Sequence, residues 1–308
     1  MTVRQKEYSL IELYSRRQKH LSSIPSFWPT VLAHGPEDFV SVLSPQDGQI
    51  IDSITSMNVE RYQIKNGAEG DPRSLRFTFT FDKNINPFFE DETVTKDFEF
   101  VAKDGEGVAG GLVSRPVNFQ WTKLGRKAGF HKMLDLSEQL WRAEEALVGG
   151  EGGKGLSVER EEREGLWQYE KLREALEKEE DETEQGSWLD WFGYRGAVAV
   201  PSKGGNKEAN GDEKEDDDNS DENGEDDDGL LDVEIFPAGE EVAIALAEDL
   251  WPDVIDYFMQ AQAEEDFDED EDEDEDEEDS DAPELVEAVE FDGFDDEEKR
   301  PSKKQRMS

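Results

Sequence analysis

The 308 residues carry 80 Asp and Glu against 33 Lys and Arg, a net charge of -47, and no cysteine. Such a field repels phosphate backbones and anionic bilayers, so direct nucleic-acid and membrane partners are disfavoured and a strongly basic macromolecule is the natural counterpart. Disulfide and thiolate chemistry are absent, and a reducing compartment is the simple reading.

The charge is unevenly spread. Residues 1–200 hold 35 acids and 25 bases, whereas 201–308 hold 45 acids and 8 bases. Segments with that much self-repulsion and so few apolar groups cannot offset chain entropy, which predicts a disordered acidic loop at 201–229 and a disordered acidic tail at 264–298. No apolar run resembles a signal peptide or a membrane span.

Along the chain, residues 1–24 predict an amphipathic helix, with Leu10, Ile11, Tyr14 and Leu21 at helical spacing. Pro29, Pro36 and Pro45, each followed by helix-compatible spacing, predict short helices broken by turns. The period then changes to two in four stretches: 57–65, 73–81, 94–102 and 112–121. Leu75, Phe77, Phe79 and Phe81 share one strand face, and Arg76, Thr78 and Thr80 the other. A sheet covered on one side and wet on the other is antiparallel. "GGEGGKG" (149–155) predicts a flexible linker, followed by a charged helix with Leu166, Tyr169, Leu172, Arg173 and Leu176 on a stripe. "SWLDWFGYRG" (187–196) is a compact aromatic cluster, and Trp28, Trp121, Trp167, Trp188 and Trp191 are available for cores.

Between the two acidic tracts lies "ALAEDLWPDVIDYFMQAQ" (245–262), either a binding motif on a tether or the last piece of the folded domain. Pro252 at a first helical position, Asp253 and Asp256 in the first turn, and Val254, Ile255 and Phe258 on one face predict a capped helix. At the end of the chain, Lys299, Arg300, Lys303, Lys304 and Arg306 form a short basic run. It reads as a nuclear import signal or as a tip that folds back on the acidic tail.

Enzyme motifs are weak throughout. "GEGVAG" (105–110) fits G-x-G-x-x-G by letter, but a strand follows where a dinucleotide site needs a helix, so it reads as a hairpin loop. "GGEGGKG" lacks the phosphate-loop spacing, and His20, His34 and His131 are scattered without metal spacing. The tail carboxylates have neither a calcium-loop glycine nor a pocket to shift their pKa values. No catalytic residue, metal site or cofactor is expected, and the chain reads as a non-enzyme.

Four blocks in order resemble the nucleosome assembly protein family, and within it the SET-like branch. They are "IPSFWPTVLAHGPE" (24–37), "LRFTFTFDKNINPFFEDETVTKDFEF" (75–100), "SWLDWF" (187–192) and "AEDLWPDVIDYFMQ" (247–260). The resemblance implies an α+β fold: a dimerisation helix, then a four-stranded antiparallel sheet backed by helices, with a concave acidic face. It places 245–262 inside the sheet domain, so that domain would comprise 25–200 and 230–263, with a basic tip at 299–308. It also implies a histone chaperone that shields core histones from nonspecific DNA contact. The residues expected to bind histones are Glu240, Glu241, Glu248, Asp249, Asp253 and Asp256 on the domain, and Glu264, Glu265, Asp266, Asp268, Glu269 and Asp270 on the tail. Leu10, Ile11, Tyr14 and Leu21 would form the homodimer interface, and the nucleus, with shuttling to the cytoplasm, would be the site of action. Histone-modifying enzymes are further partners the resemblance suggests. The rival readings are an acidic regulatory inhibitor (of a phosphatase, or by masking histone tails from acetyltransferases) and a DNA mimic. Two departures stand out: the first helix is shorter than the resemblance implies, and residues 142–180 are longer and more helical.

Overall fold

The computed structural model describes residues 2–102, 110–148, 158, 160–180, 186–196 and 233–275. Two units are distinct, Met1–Ala263 and Glu264–Ser308. Thr2 opens the first helix, α1 (Val3–Leu21), through a capping box: its hydroxyl accepts from Gln5 N, and the Gln5 side chain accepts from Thr2 N. The proline-punctuated stretch folds as expected into α2 (Phe27–Ala33), α3 (Glu37–Val40), a 3-10 turn (Pro45–Asp47) and α4 (Gly48–Asp52).

The four-stranded sheet has the order β1-β2-β3-β4, all pairs antiparallel: β1 (Ile54–Glu60), β2 (Leu75–Phe81), β3 (Thr93–Val101) and β4 (Gly111–Ser114). The predicted alternation holds, with Leu75, Phe77, Phe79 and Phe81 buried while Arg76, Thr78 and Thr80 are half-buried. All four strands shift from the expected bounds, and β1 and β4 do so by more than two residues. Strand β1 starts and ends earlier, because a turn closed by Ile64 N donating to Arg61 O removes 61–65 from the ladder. Strand β4 stops at Ser114, two residues before Pro116, which has no N–H to donate, and Val117 N donates instead to Phe192 O.

The covered face of the sheet meets the aromatic turn Trp188–Gly193, where Trp188, Trp191 and Phe192 are fully buried. Phe79 meets all three rings at centroid distances of 5.4, 6.2 and 5.8 Å. The buried Asp47 carboxylate accepts from Ser44 N, the Ser44 and Ser187 hydroxyls and Trp188 N, which joins the 3-10 turn to the aromatic turn. From β3, the fully buried Lys96 ammonium donates to the carbonyls of Arg115, Phe192 and Tyr194 at 3.0, 2.8 and 2.7 Å. Burial pushes its pKa well below the ordinary lysine value, against the charges of Glu234 and Asp97. The carbonyl cage offsets that cost and holds the aromatic turn on the sheet.

The described residues within 142–180 pack as part of the first unit. Helices α5 (Lys123–Ala128) and α6 (His131–Leu147) are followed by α7 (Arg160–Glu164) and α8 (Trp167–Glu180). Met133, Leu140 and Trp141 of α6 form a second core with Tyr169 and Leu172 of α8, Val113 and Val233. One expectation fails here: Trp167 is 62% exposed, because the buried stripe of α8 runs through Tyr169 and Leu172 and points that ring away, over Lys171. The expected linker at 149–155 and the acidic loop at 201–229 lie outside the described residues.

Asp190 in the aromatic turn offers a pH test. Burial pushes its pKa well above the ordinary carboxylate value, helped by the charges of Glu179 and Asp47 and opposed by a bond from the Ser187 amide. A raised carboxylate pKa contributes stability below the unfolded value and loses it as pH rises toward the folded one. Asp190→Asn should therefore stabilise the fold at pH 7, with the gain vanishing near pH 4. Urea melts at both pH values check this, and a gain that grows toward acid contradicts it.

Candidate functional site

The closing helices carry most of the acids singled out in the sequence. Helix α9 (Gly239–Ile244) runs through a π-helical stretch (Ala245–Leu250) into α10 (Trp251–Glu275). Gly239 opens it because nothing larger fits: a Cβ there would lie 2.2 Å from the Tyr194 ring. Val242, Leu246, Leu250, Trp251 and Val254 are buried in the main core, and Trp251 stacks on Trp28 at 6.2 Å.

Pro252 does not begin a helix, contrary to the capping expectation. It sits where the π-helical stretch meets α10, and Asp253 beside it leaves helical geometry at φ -110°, ψ 22°. A proline ring clashes with the carbonyl four residues back, which is a recognised cause of such widening and kinking. Arg17 of α1 fills the kink. Its guanidinium donates to the Trp251 and Pro252 carbonyls at 2.6 and 2.9 Å and lies 4.6 and 4.5 Å from the Tyr14 and Trp251 ring centres. Ile255 is 48% exposed, so the buried face runs through Val254 and Ala261, with Phe258 against Phe27.

The six domain acids divide by what they touch. Glu240 is half-buried and accepts from Leu112 N at 3.2 Å; burial and the charge of Glu241 push its pKa up, against that bond. Glu248 pairs with Arg61 at 3.0 Å, and Asp249 accepts from the Tyr257 hydroxyl, which burial and this bond push up to about 12. Glu241, Asp253 and Asp256 are exposed and make no side-chain hydrogen bond or ion pair among the described residues. Glu264 is exposed too, at the start of the second unit. The backbone of Glu265, Asp266, Asp268, Glu269 and Asp270 is helical, since α10 continues to Glu275 past the point where the acidic tail was expected to begin. Once a helix is nucleated by packed turns, each further residue costs little to add. The rest of the tail and the basic run Lys299–Arg306 lie outside the described residues.

The expected dimer stripe splits. Leu21 is 3% exposed within the chain's own core, Tyr14 packs on Trp251 at 5.5 Å, and Leu10 is half-buried. Ile11 is 53% exposed and, with Val3, borders the groove beside α1, whereas Tyr8 and Leu13 are exposed elsewhere on the helix. The inward face was legible as helical spacing, but its partner was not, because Trp251 lies far along the chain.

Beside α1 runs a groove of about 1060 Å³ bounded by β1, Arg61 and Trp251. Sequence reasoning missed it, since it forms only when the first helix docks against the sheet. Its charges are mixed: Arg61 lies between Glu7 at 3.5 Å and Glu248 at 3.0 Å, while Lys6 and Lys19 stand on the α1 wall. Among the described residues no His, Asp and Glu group is arranged to hold a metal, and no helix is long and apolar enough to cross a membrane.

A sequence model described as Nucleosome assembly protein (NAP) matches residues 5–114, the stretch from α1 to the end of β4. NAP1-related protein 2 of Arabidopsis thaliana is 29% identical over 124 residues, 35% of this chain and 45% of that protein. Protein SET of Drosophila melanogaster is 29% identical over 86 residues, 28% of each chain. The match thus spans less than half the length of these curated relatives. The crystal structure of the Vps75 histone chaperone aligns with 84% of this chain and 88% of its own at 19% identity and a TM-score of 0.46.

Proposed function

We propose that the chain, whose residues 5–114 match the nucleosome assembly protein model, is a histone chaperone of that family. It binds core histones through exposed carboxylates and shields them from nonspecific DNA contact. The observation that carries the reading is the closing helix run. Its apolar face is buried in the sheet domain, while Glu241, Asp253 and Asp256 stay exposed, with no side-chain hydrogen bond or ion pair among the described residues. Carboxylates held on a rigid element keep their geometry as a histone approaches, and the net charge of -47 steers basic proteins toward them. The acids Glu264, Glu265, Asp266, Asp268, Glu269 and Asp270 supply capture rate more than shape. Homodimerisation through the outer surface of α1, action in the nucleus, import through Lys299–Arg306 and recruitment of histone-modifying enzymes belong to the same reading.

Charge reversal tests it. Replacing Glu241, Asp253, Asp256 and Glu264 together by Lys should weaken core-histone binding about tenfold at physiological salt. Exposed pairs contribute roughly 0.2–1 kcal/mol each, and tenfold corresponds to about 1.4 kcal/mol. The salt dependence should flatten, because screened charges are being removed. A pull-down with competing DNA should retain histones on the wild-type chain without DNA joining the complex. Unchanged affinity and unchanged salt slope in the variant would end the assignment of these residues.

A further inference from the structure

The groove beside α1 is bounded on one side by an open sheet edge. Among the described residues, strand β1 pairs only with β2. The Met57 carbonyl accepts from the Gln18 side chain at 2.8 Å, so Met57 turns its backbone polar groups away from β2. In an antiparallel ladder these directions alternate, so Val59, two residues on, presents its N–H and carbonyl to the same open side. Nothing among the described residues bonds them. The opposite edge of the sheet is closed. Ser114 N donates to Arg195 O at 2.9 Å, Leu112 N to Glu240 at 3.2 Å, and the Leu112 carbonyl accepts from the Tyr194 hydroxyl at 3.1 Å. An open edge is a template for strand addition, and here it borders a groove whose volume is at the upper end of those that enclose ligands.

The charges on the groove select what fits. Arg61 is already compensated by Glu7 and Glu248, and Arg76 by a two-pronged pair with Asp97 at 2.7 Å. Glu60 stands near Arg76 and favours its charge. That leaves Lys6 and Lys19 on the helix wall with no carboxylate partner among the described residues. Helix α1 as a whole holds Arg4, Lys6, Arg16, Arg17 and Lys19 against Glu7 and Glu12. In a chain of net charge -47 this wall is a local reversal of sign, and it disfavours a lysine-rich segment. Ile11 and Val59 also line the groove and offer apolar contact to alternate side chains.

We propose that the groove between α1 and the open edge of β1 binds an extended acidic peptide segment of a partner protein, which adds to the sheet as a fifth strand. Its backbone pairs with Val59, its carboxylates face Lys6 and Lys19, and alternate apolar side chains fill the groove. Gln18, which occupies the Met57 carbonyl, marks the end at which the added strand stops. Glu241, Asp253 and Asp256, the carboxylates on which the chaperone reading rests, do not line this groove, so its failure leaves that reading intact.

Fluorescence anisotropy on the full chain tests it with a labelled octapeptide of alternating Glu and Val. The wild-type chain should bind this peptide, and Lys6→Glu with Lys19→Glu should weaken binding at least tenfold. Lys127→Glu with Lys132→Glu makes the same change in net charge away from α1 and the groove and should shift affinity less than twofold. N-methylation of every second peptide amide should abolish binding, because it removes the donors that pair with a strand. Absence of binding by the Glu-Val peptide overturns the proposal. So do equal binding of a Lys-Val peptide, equal binding of the N-methylated peptide, or equal weakening in both double variants.

Discussion

A chain stopped after Ala263 should melt within about 2 °C of the full-length protein, whereas one stopped after Pro237 should be unfolded or aggregated at room temperature. The first cut removes the second unit alone. The second removes Val242, Leu246, Leu250, Trp251 and Val254, each buried to within 3% of complete. Fully burying such a side chain contributes roughly 1.5–3 kcal/mol, and a whole domain is stable by only about 5–15 kcal/mol. The loss also strips Trp28 of its stacked partner and leaves Arg17 without its two carbonyl acceptors. Thermal melts followed by near-ultraviolet circular dichroism separate the outcomes. Equal melting of the two shortened chains would mean that 245–262 is a tethered motif after all.

Glu144→Ala should cost about 3–5 kcal/mol, the usual penalty for removing one member of a buried ion cluster. One carboxylate oxygen of Glu144 accepts from Arg163 at 2.8 Å and from Arg195 at 2.9 Å, and all three side chains are fully buried. Once the carboxylate is gone, two guanidiniums stay out of water without the anion they share. The melting temperature should fall on the order of 10 °C. Glu144→Gln keeps an acceptor but not the charge, so it should fall between the wild type and Glu144→Ala. A Glu144→Ala chain that melts with the wild type would show that the cluster contributes nothing net. The same region is closed by Glu234, whose carboxylate accepts from Arg195 N and Gly196 N at 3.0 Å and from Phe236 N at 3.2 Å.

Much of this architecture is legible before any coordinates. Period-two alternation in 75–81 reports the covered and wet faces directly, because side chains of a strand alternate by geometry. Proline spacing marks the short helices at 27–52, and charge density marks the acidic tracts, since both are local properties of the chain. The exposed acids Glu241, Asp253 and Asp256 are legible as charge beside an apolar stripe. The groove and its open edge are not, because they arise from the docking of α1 on a strand some forty residues away.

The amino-acid sequence by itself determined the fold class, the covered face of the sheet and the concentration of acid at the C-terminal end, all of which follow from periodicity and composition. Only the tertiary structure decided which of two local solutions each ambiguous segment takes. Tyr14 and Leu21 turn inward because Trp251 and the sheet core are there to receive them. Pro252 makes a kink rather than a helix start, because the helix before it is already anchored by Val242 and Leu246. Glu144, Arg163, Arg195 and Lys96 look like surface charges in sequence, yet they are buried, each with partners supplied by remote segments. A charge is buried only where distant parts of the chain supply its counter-charge or acceptors, and their convergence is not written in any local stretch.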